Sequence, residues 1–112
     1  MKKLEIIIKP EKLEMVSEIL SENGINGMNF VNVMGYGKQN GVIKSYNGKE
    51  YKVGFIPKIK IETIVADEIV EKVIRNILEE VNTGQYGDGK IAIYPVEDYV
   101  RIRTGERGND AL

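Results

Sequence analysis

The sequence contains no cysteine and no histidine. These absences exclude disulfide bonds, zinc-finger sites and every catalytic triad that depends on histidine. The lack of cysteine also fits the cytosol. No apolar run approaches the ~20 residues that a membrane-spanning helix needs, and the first residues lead into an alternating pattern rather than the apolar core of a signal peptide. We therefore expect a soluble, cytoplasmic protein.

An excess of charge of either sign is also missing. The 112 residues carry 16 basic and 17 acidic side chains, so the net charge is −1. No global field therefore favours nucleic acid or an anionic membrane as a partner. At 42% hydrophobic and 29% charged residues, the composition is that of an ordinary globular protein, and the length predicts one domain over residues 1–112.

The first half of the chain alternates between strand and helix patterns. Residues 3–9 are rich in β-branched side chains and predict a strand that ends before Pro10. Pro10 suits the first turn of a helix, apolar residues then recur at helical spacing, and Gly24 is typical of the residue just beyond a helix end. Residues 27–35 predict the second strand.

The second half repeats this order. Residues 58–65 resume strand alternation, and Asp67 is a plausible N-cap for the amphipathic helix that follows. Residues 91–94 predict a further strand, which Pro95 ends. In the tail, residues 100–103 could add a short edge strand.

Between the two halves lies a glycine-rich, polar stretch at residues 37–54 with no sustained period. Asn47-Gly48, near its tip, is a dipeptide typical of hairpin turns. A loop this long in a small domain is usually either functional or disordered.

The order of elements is β-α-β-β-α-β, which predicts an α+β, ferredoxin-like sandwich with an antiparallel sheet and both helices on one face. The helix-free face should be apolar in places, at Ile7, Ile64 and Val65. Another copy of the chain is the simplest cover for such a face, so we expect a homo-oligomer.

A glycine-rich loop between the second helix and the last strand, residues 83–90, is the strongest candidate for a ligand site. Its three glycines let main-chain N–H groups converge on an anion, and Lys90 adds a cation. Arg101 and Arg103, two residues apart, would point to the same side of an extended chain. This combination favours a polyphosphate. The alternative is a helix C-cap followed by a tight turn, with exposed basic residues.

Over essentially its whole length the sequence resembles the PII nitrogen-regulatory signal-transduction proteins. The motifs that carry the resemblance are Thr83-Gly84-x-x-Gly87-Asp88-Gly89-Lys90-Ile91, Pro95-Val96-Glu97, the run from Arg101 to Gly108, Gly35-x-Gly37-x-Gln39 and Pro57-Lys58-x-Lys60-Ile61-Glu62. The resemblance implies a homotrimer with nucleotide clefts between neighbouring subunits. It also implies an effector loop at 37–54 between the second and third strands, a nucleotide loop at 82–90 and a C-terminal segment at 97–112.

The ligand implied by this resemblance is ATP or ADP. The residues at the matching positions are, for the phosphates, Gly87, Gly89, Lys90, Arg101 and Arg103; for the opposite side, Gly35, Gly37 and Lys38; and for the adenosine, Ile7, Gly27, Asn29, Glu62 and Ile64. Asp88 completes the implied nucleotide set. Backbone nests and guanidinium groups suit phosphate oxygens.

With ATP bound, the resemblance implies 2-oxoglutarate as a second ligand, joined to the phosphates through Mg²⁺. Gln39 would be the protein ligand of the metal, and Lys58 would pair with the distal carboxylate. Gly37, Asn40 and Gly41 complete the implied set. Such sparing use of protein ligands is normal for Mg²⁺, which prefers phosphates and water.

The implied output is a change in the loop at residues 37–54 that partner proteins sense. The implied partners are ammonium channels, enzymes of nitrogen assimilation and their regulators. Nucleic acid is not among them, and a membrane is reached only through a channel partner.

The chain departs from the family pattern in four places. Tyr51 matches a tyrosine that some members have uridylylated, but its surroundings differ, so modification is in doubt. Lys49 stands where other members have a phosphorylated serine. Lys38 replaces a common arginine and loses its bidentate fork, and Asn29 replaces a usual threonine.

Two other functional classes compete with this sensor hypothesis. A slow ATP-hydrolysing enzyme could use Glu62, Asp88 and Lys90 in the same cleft, but no base is evident over a nucleophile. A ferredoxin-like RNA-binding domain would need stacking aromatic residues on its sheet, where these strands offer aliphatic ones. We therefore expect a sensor that is not an enzyme.

Overall fold

A computed structural model describes residues 1–36 and 54–112 with their side chains, and residues 43–46 and 49–52 as backbone. Four strands form one fully antiparallel sheet in the order β2-β5-β1-β6. The strands are β1 (Lys2–Ile8), β2 (Asn29–Tyr36), β5 (Phe55–Val65) and β6 (Lys90–Pro95), and a separate hairpin pairs β3 (Ile43–Tyr46) with β4 (Lys49–Lys52). The helices are α1 (Leu13–Glu22) and α2 (Val70–Val81). This arrangement confirms the ferredoxin-like α+β fold; the homotrimer stays a prediction.

Both helices begin with a turn of 3₁₀ helix, at Pro10–Lys12 and Asp67–Ile69. Gly24 has φ = 77° and follows α1, as its position predicted. The prediction that Asp67 caps α2 was wrong, because Asp67 lies inside the 3₁₀ turn and the residue that precedes α2 is Ile69. The Asp67 carboxylate instead lies 3.0 Å from the terminal ammonium of Met1, which lowers the pKa of Asp67.

The core lies between the helices and one face of the sheet. It consists of buried aliphatic side chains: Leu4, Ile6, Ile8, Val16, Ile19, Leu20, Ile59, Ile61, Val65, Val70, Val73, Ile77 and Val81. Val65 is 1% exposed and belongs to this core, so the prediction that it lies on the helix-free face was wrong. Side chains alternate along a strand, so adjacent residues such as Ile64 and Val65 point to opposite faces.

The stretch between β2 and β5 contains more regular structure than its composition predicted. The hairpin of β3 and β4 replaces the expected irregular loop, with Tyr46 opposite Lys49. The turn predicted at Asn47-Gly48 lies outside the described residues. These strands have only four residues each and contain several lysines, so they are too short for a strand period to be recognised from the sequence.

β5 also begins earlier than the pattern indicated and includes Pro57, which lies opposite Met34 of β2. On its other side, β5 first pairs with β1 at Ile59. Proline is tolerated at this point because one side of β5 has no strand partner there.

The segment after β6 is held by turns. The edge strand predicted at residues 100–103 is absent: Val100 forms an isolated bridge with Arg107, and the residues between them turn back. A short 3₁₀ helix, Gly108–Ala111, ends the chain. Within the described parts of the chain, no helix is long and apolar enough to cross a membrane.

Candidate functional site

The loop between α2 and β6 leaves the helix in an extended conformation. Asn82, the residue after α2, has φ = −64° and ψ = 122°, and its side-chain oxygen accepts a 2.8 Å hydrogen bond from the amide of Gly84. The helix therefore ends at Asn82 rather than at a glycine. The loop glycines serve the turn itself.

The carboxylate of Asp88 closes this loop. One of its oxygens accepts from the amides of Thr83 (2.7 Å) and Gly84 (3.1 Å), and the other accepts from the Thr83 hydroxyl (2.5 Å). These hydrogen bonds, led by the hydroxyl, lower the pKa of Asp88. Asp88 was predicted within the nucleotide set, and in this structure its carboxylate shapes the loop.

Glycine is required where the loop meets β1. Gly84, Gly87 and Gly89 have φ values of 75°, 92° and 110°, a region that residues with a Cβ avoid. A Cβ on Gly89 would overlap the carbonyl oxygen of Ile7, whereas one on Gly84 would have no atom within 4 Å. The loop backbone therefore lies directly against the end of β1.

Lys58 joins the loop to the sheet. Its side chain is buried, and its Nζ donates a 2.8 Å hydrogen bond to the carbonyl oxygen of Gly87. A Cβ on Gly35 would lie 3.2 Å from Cγ of Lys58, so glycine at that position leaves room for the lysine stem. Burial lowers the pKa of Lys58, and the nearby charge of Lys9 lowers it further.

Two lysines that the sequence analysis did not place in the site join this group. Lys9 lies close enough to lower the pKa of both Lys58 and Asp88. Lys60 lies opposite Ile7 on one side, and Lys90 lies opposite Ile7 on the other. Because the side chains of directly opposite residues share a face, both lysines stand beside Ile7. Strand alternation could have identified Lys60; Lys9 required the tertiary structure.

A second group of predicted residues lines a cavity of about 620 Å³. Gly27, Asn29, Glu62 and Ile64 are in its wall. The Glu62 carboxylate lies 3.4 Å from Nζ of Lys3 and 3.7 Å from Nζ of Lys60. The residues predicted for adenosine therefore meet at one cavity, apart from Ile7, which lies against the glycine loop.

The two groups lie toward opposite ends of β5. One is centred on Lys58 and the other on Ile64. At the ~3.3 Å rise per residue of a strand, these positions are about 20 Å apart. One chain thus carries two partial sites.

The two predicted arginines differ in environment. Arg101 donates through one guanidinium nitrogen to Glu106 (3.0 Å) and through the other to the main-chain oxygen of Leu112 (3.0 Å). Arg103 is exposed. The chain turns at these residues, since the amide of Gly105 donates to the carbonyl of Arg101, so the extended geometry assumed for the pair was wrong.

Several predicted residues lie outside the described part of the chain. They are Gly37, Lys38, Gln39, Asn40 and Gly41. Tyr51 is described only as backbone within β4. Among the residues that are described, no cluster of three or more acidic, histidine or cysteine side chains could hold a metal ion.

Comparison with known proteins decides the family. Residues 1–106 match the family model described as "Nitrogen regulatory protein P-II". The chain is 51% identical over 112 residues to proteins of that name from Azospirillum brasilense and Haemophilus influenzae. It is 52% identical to one from Pasteurella multocida, and all of each chain is covered in all three comparisons.

The chain belongs to the nitrogen regulatory protein P-II family. This confirms the resemblance inferred from the glycine loop and the arginine run. P-II proteins are regulatory signalling proteins, and the chain is one of them. Both partial sites and the C-terminal turn fall within the matched residues, apart from the last six, 107–112.

Proposed function

We propose that this P-II protein senses the adenylate and 2-oxoglutarate state of the cytoplasm and reports it to proteins of nitrogen metabolism. It binds ATP or ADP and, with MgATP, 2-oxoglutarate. The targets are an ammonium channel, nitrogen-assimilation enzymes or their regulators, contacted through residues 37–54. A membrane is reached only through a channel partner.

The observation that carries this proposal is the contact between Lys58 and the glycine loop. Gly87 and Gly89 adopt positive φ angles with Lys90 next to them, and Lys58 donates to Gly87. Convergent amides and nearby ammonium groups are a suitable environment for phosphate oxygens. Arg103 is exposed, and its guanidinium group could bind the same phosphate oxygens.

The described residues also fit the second ligand. Lys58 is a buried cation whose only hydrogen bond among the described residues goes to a main-chain carbonyl, so it has donors left for a carboxylate. Mg²⁺, when bound, would neutralise the charge between phosphate and keto acid. In this proposal Gln39 holds the metal, and Gly37, Asn40 and Gly41 contact the keto acid.

The complete nucleotide site forms between copies in a homotrimer. The support is the separation of the two partial sites along β5: the glycine loop of one copy can approach the cavity of its neighbour, which holds Asn29 and Glu62. A triphosphate at the loop and an adenosine in the cavity then belong to one ligand.

Binding proceeds without enzymatic turnover in this proposal. Two of the three groups considered for hydrolysis are already paired: Asp88 accepts three hydrogen bonds, and Glu62 lies between two lysines. The lowered pKa of Asp88 makes its carboxylate a weak base.

The test measures how each ligand changes the unfolding temperature of the protein. Thermal unfolding is followed with MgATP, with 2-oxoglutarate, and with both. We expect 2-oxoglutarate to raise the unfolding temperature only when ATP and Mg²⁺ are present. Lys90→Ala and Arg103→Ala should weaken ATP binding by calorimetry, whereas Lys72→Ala on exposed α2 should not. Unchanged affinity in both site variants would refute the phosphate assignment, and a monomer in sedimentation with nucleotide would refute the shared site.

A further inference from the structure

The sequence contains four Asn-Gly dipeptides, and two of them lie close together after α1. These two are Asn23-Gly24 and Asn26-Gly27, whereas Asn40-Gly41 and Asn47-Gly48 lie outside the described residues. An asparagine before glycine can lose its side-chain amide, because the next main-chain nitrogen can attack the side-chain carbonyl carbon and glycine has no Cβ to obstruct the attack. The two described dipeptides have the same chemistry, so their surroundings decide which one reacts.

Asn23 is held at the end of α1. Its Nδ2 donates a 2.8 Å hydrogen bond to the carbonyl oxygen of Ile19, and its Oδ1 is buried. The nitrogen that would attack it, the amide of Gly24, donates at 3.0 Å to the carbonyl of Ser21. The reaction needs this nitrogen and the side-chain carbonyl carbon in close, aligned contact, so both hydrogen bonds would have to break first.

Asn26 lies in the irregular segment between α1 and β2, and it is exposed. Between described residues, neither its side chain nor the amide of Gly27 makes a hydrogen bond. The Gly27 carbonyl accepts a 2.7 Å hydrogen bond from the Thr63 hydroxyl, so Gly27 is held on the side away from Asn26. The Gly27 nitrogen can therefore turn toward the Asn26 side chain without breaking a contact to another described residue.

We propose that Asn26 is a site of spontaneous deamidation and that Asn23 is protected from it. The Gly27 nitrogen gives up its proton to water and bonds to Cγ of Asn26, the Cγ–Nδ2 bond breaks, and ammonia leaves a cyclic succinimide. Water then opens the ring. Opening at Cγ gives aspartate, whereas opening at the main-chain carbonyl gives isoaspartate, in which the main chain runs through the former side-chain carbons. Either product replaces a neutral amide with a carboxylate.

The modified residue would lie in the wall of the cavity that we assign to adenosine. Asn26 and Gly27 line this cavity together with Asn29 and Glu62. A carboxylate at position 26 adds negative charge to a wall that already holds Glu62, and isoaspartate also lengthens the main chain directly before Gly27. Both changes should weaken the binding of an anionic nucleotide. This consequence, unlike the modification itself, rests on the proposed nucleotide function.

The experiment follows both asparagines in one protein. Purified protein is incubated at mildly alkaline pH, and the tryptic peptide of residues 13–38, which contains Asn23 and Asn26, is analysed by electron-transfer fragmentation, which distinguishes isoaspartate from aspartate. We expect Asn26 to react at least about tenfold faster than Asn23, the factor for the two hydrogen bonds that hold Asn23 and Gly24. In urea, where the fold is lost, the two rates should converge.

Gly27→Ala tests the proposed route of attack. A Cβ on Gly27 would have no atom within 4 Å, so alanine fits, but the added methyl group should slow the reaction at Asn26 severalfold. Equal rates at Asn23 and Asn26 in the folded protein, or a faster reaction at Asn23, would overturn the inference.

ATP affinity, measured by calorimetry during the same incubation, tests the link to the cavity. The wild type should lose affinity severalfold as isoaspartate accumulates at position 26, whereas Asn26→Gln, which cannot form the same ring, should keep the affinity with which it starts. Asn26→Gln retains Asn40-Gly41 and Asn47-Gly48, so an equal loss in both proteins would overturn the link. Failure of the proposed function looks different, because fresh protein would then not bind ATP, while the difference in rate between Asn26 and Asn23 would remain.

Discussion

Nζ of Lys58 lies 2.8 Å from the carbonyl oxygen of Gly87, across 29 residues of sequence. This hydrogen bond joins β5 to the glycine loop. It links the residue proposed to hold 2-oxoglutarate with the backbone proposed to hold phosphate. A ligand that attracts Lys58 therefore acts directly on the loop.

Replacing Lys58 tests this link. Lys58→Met keeps much of the stem and removes the charge, so 2-oxoglutarate should no longer raise the unfolding temperature of the MgATP complex. ATP affinity should also fall, by about three- to tenfold, because the loop loses a hydrogen bond worth roughly 1 kcal/mol. Lys72→Met provides the exposed control. A retained 2-oxoglutarate response in Lys58→Met would contradict the assignment.

The contact between the glycine loop and β1 predicts how alanine substitutions in the loop affect stability. Gly89→Ala should lower the free energy of unfolding by at least about 2 kcal/mol, since a Cβ would overlap the Ile7 carbonyl and φ is positive. Gly84→Ala has a similar φ but open space, so it should cost only about 1 kcal/mol. Urea unfolding measures both. Equal losses would mean that the contact with Ile7 does not limit the loop.

The Asp88 carboxylate predicts a dependence on pH. Its pKa is below the ordinary value of 3.8 because Thr83 and Gly84 donate to the ionised form. The stabilisation is therefore present above pH 3.8 and is lost as the pH falls through the folded pKa. Asp88→Asn should unfold at a lower temperature than the wild type at neutral pH, and the difference should shrink as the pH is lowered below 3.8.

Calorimetric unfolding temperatures across this pH range check the prediction. Glu79→Gln, on the exposed side of α2, should show no such convergence. A gap between Asp88→Asn and wild type that stayed constant with pH would show that the titration of Asp88 is not its source.

Replacing the hairpin of β3 and β4 should abolish binding to target proteins without changing ligand binding. Replacing residues 43–52 with a flexible linker should leave ATP and 2-oxoglutarate affinities within about twofold, because the proposed ligand residues lie outside the replaced segment. Capture of target proteins from cells shifted in nitrogen supply should be lost. The intact chain is the reference, and equal capture of the same target by both proteins would place the interaction surface elsewhere.

Local patterns predicted most of the fold and the composition of the site. Strand alternation and helical spacing identified the four sheet strands and both helices, and Gly24 marked the end of α1. The glycine positions of the 82–90 loop are also local, because positive φ angles restrict the choice of residue. Asn47-Gly48 indicated a hairpin turn, but the two strands beside it were missed, since four-residue strands carry little periodicity.

The errors have other causes. Val65 was placed on the same face as Ile64, although adjacent residues of a strand point to opposite faces. Asp67 was read as a helix cap, but the Met1 ammonium reaches its carboxylate only in the folded chain. Arg101 and Arg103 were expected in extended chain, whereas Glu106 and Leu112 fold back onto Arg101.

The amino-acid sequence by itself determined the order of strands and helices, the family and the residue types available for a phosphate ligand, since these depend on neighbours along the chain. The tertiary structure alone decided that Lys58 meets Gly87, that the residues predicted for the site lie in two separate groups, and that Arg101 contacts Leu112. Such contacts join residues far apart in sequence, and they form only once sheet order and register bring those residues together.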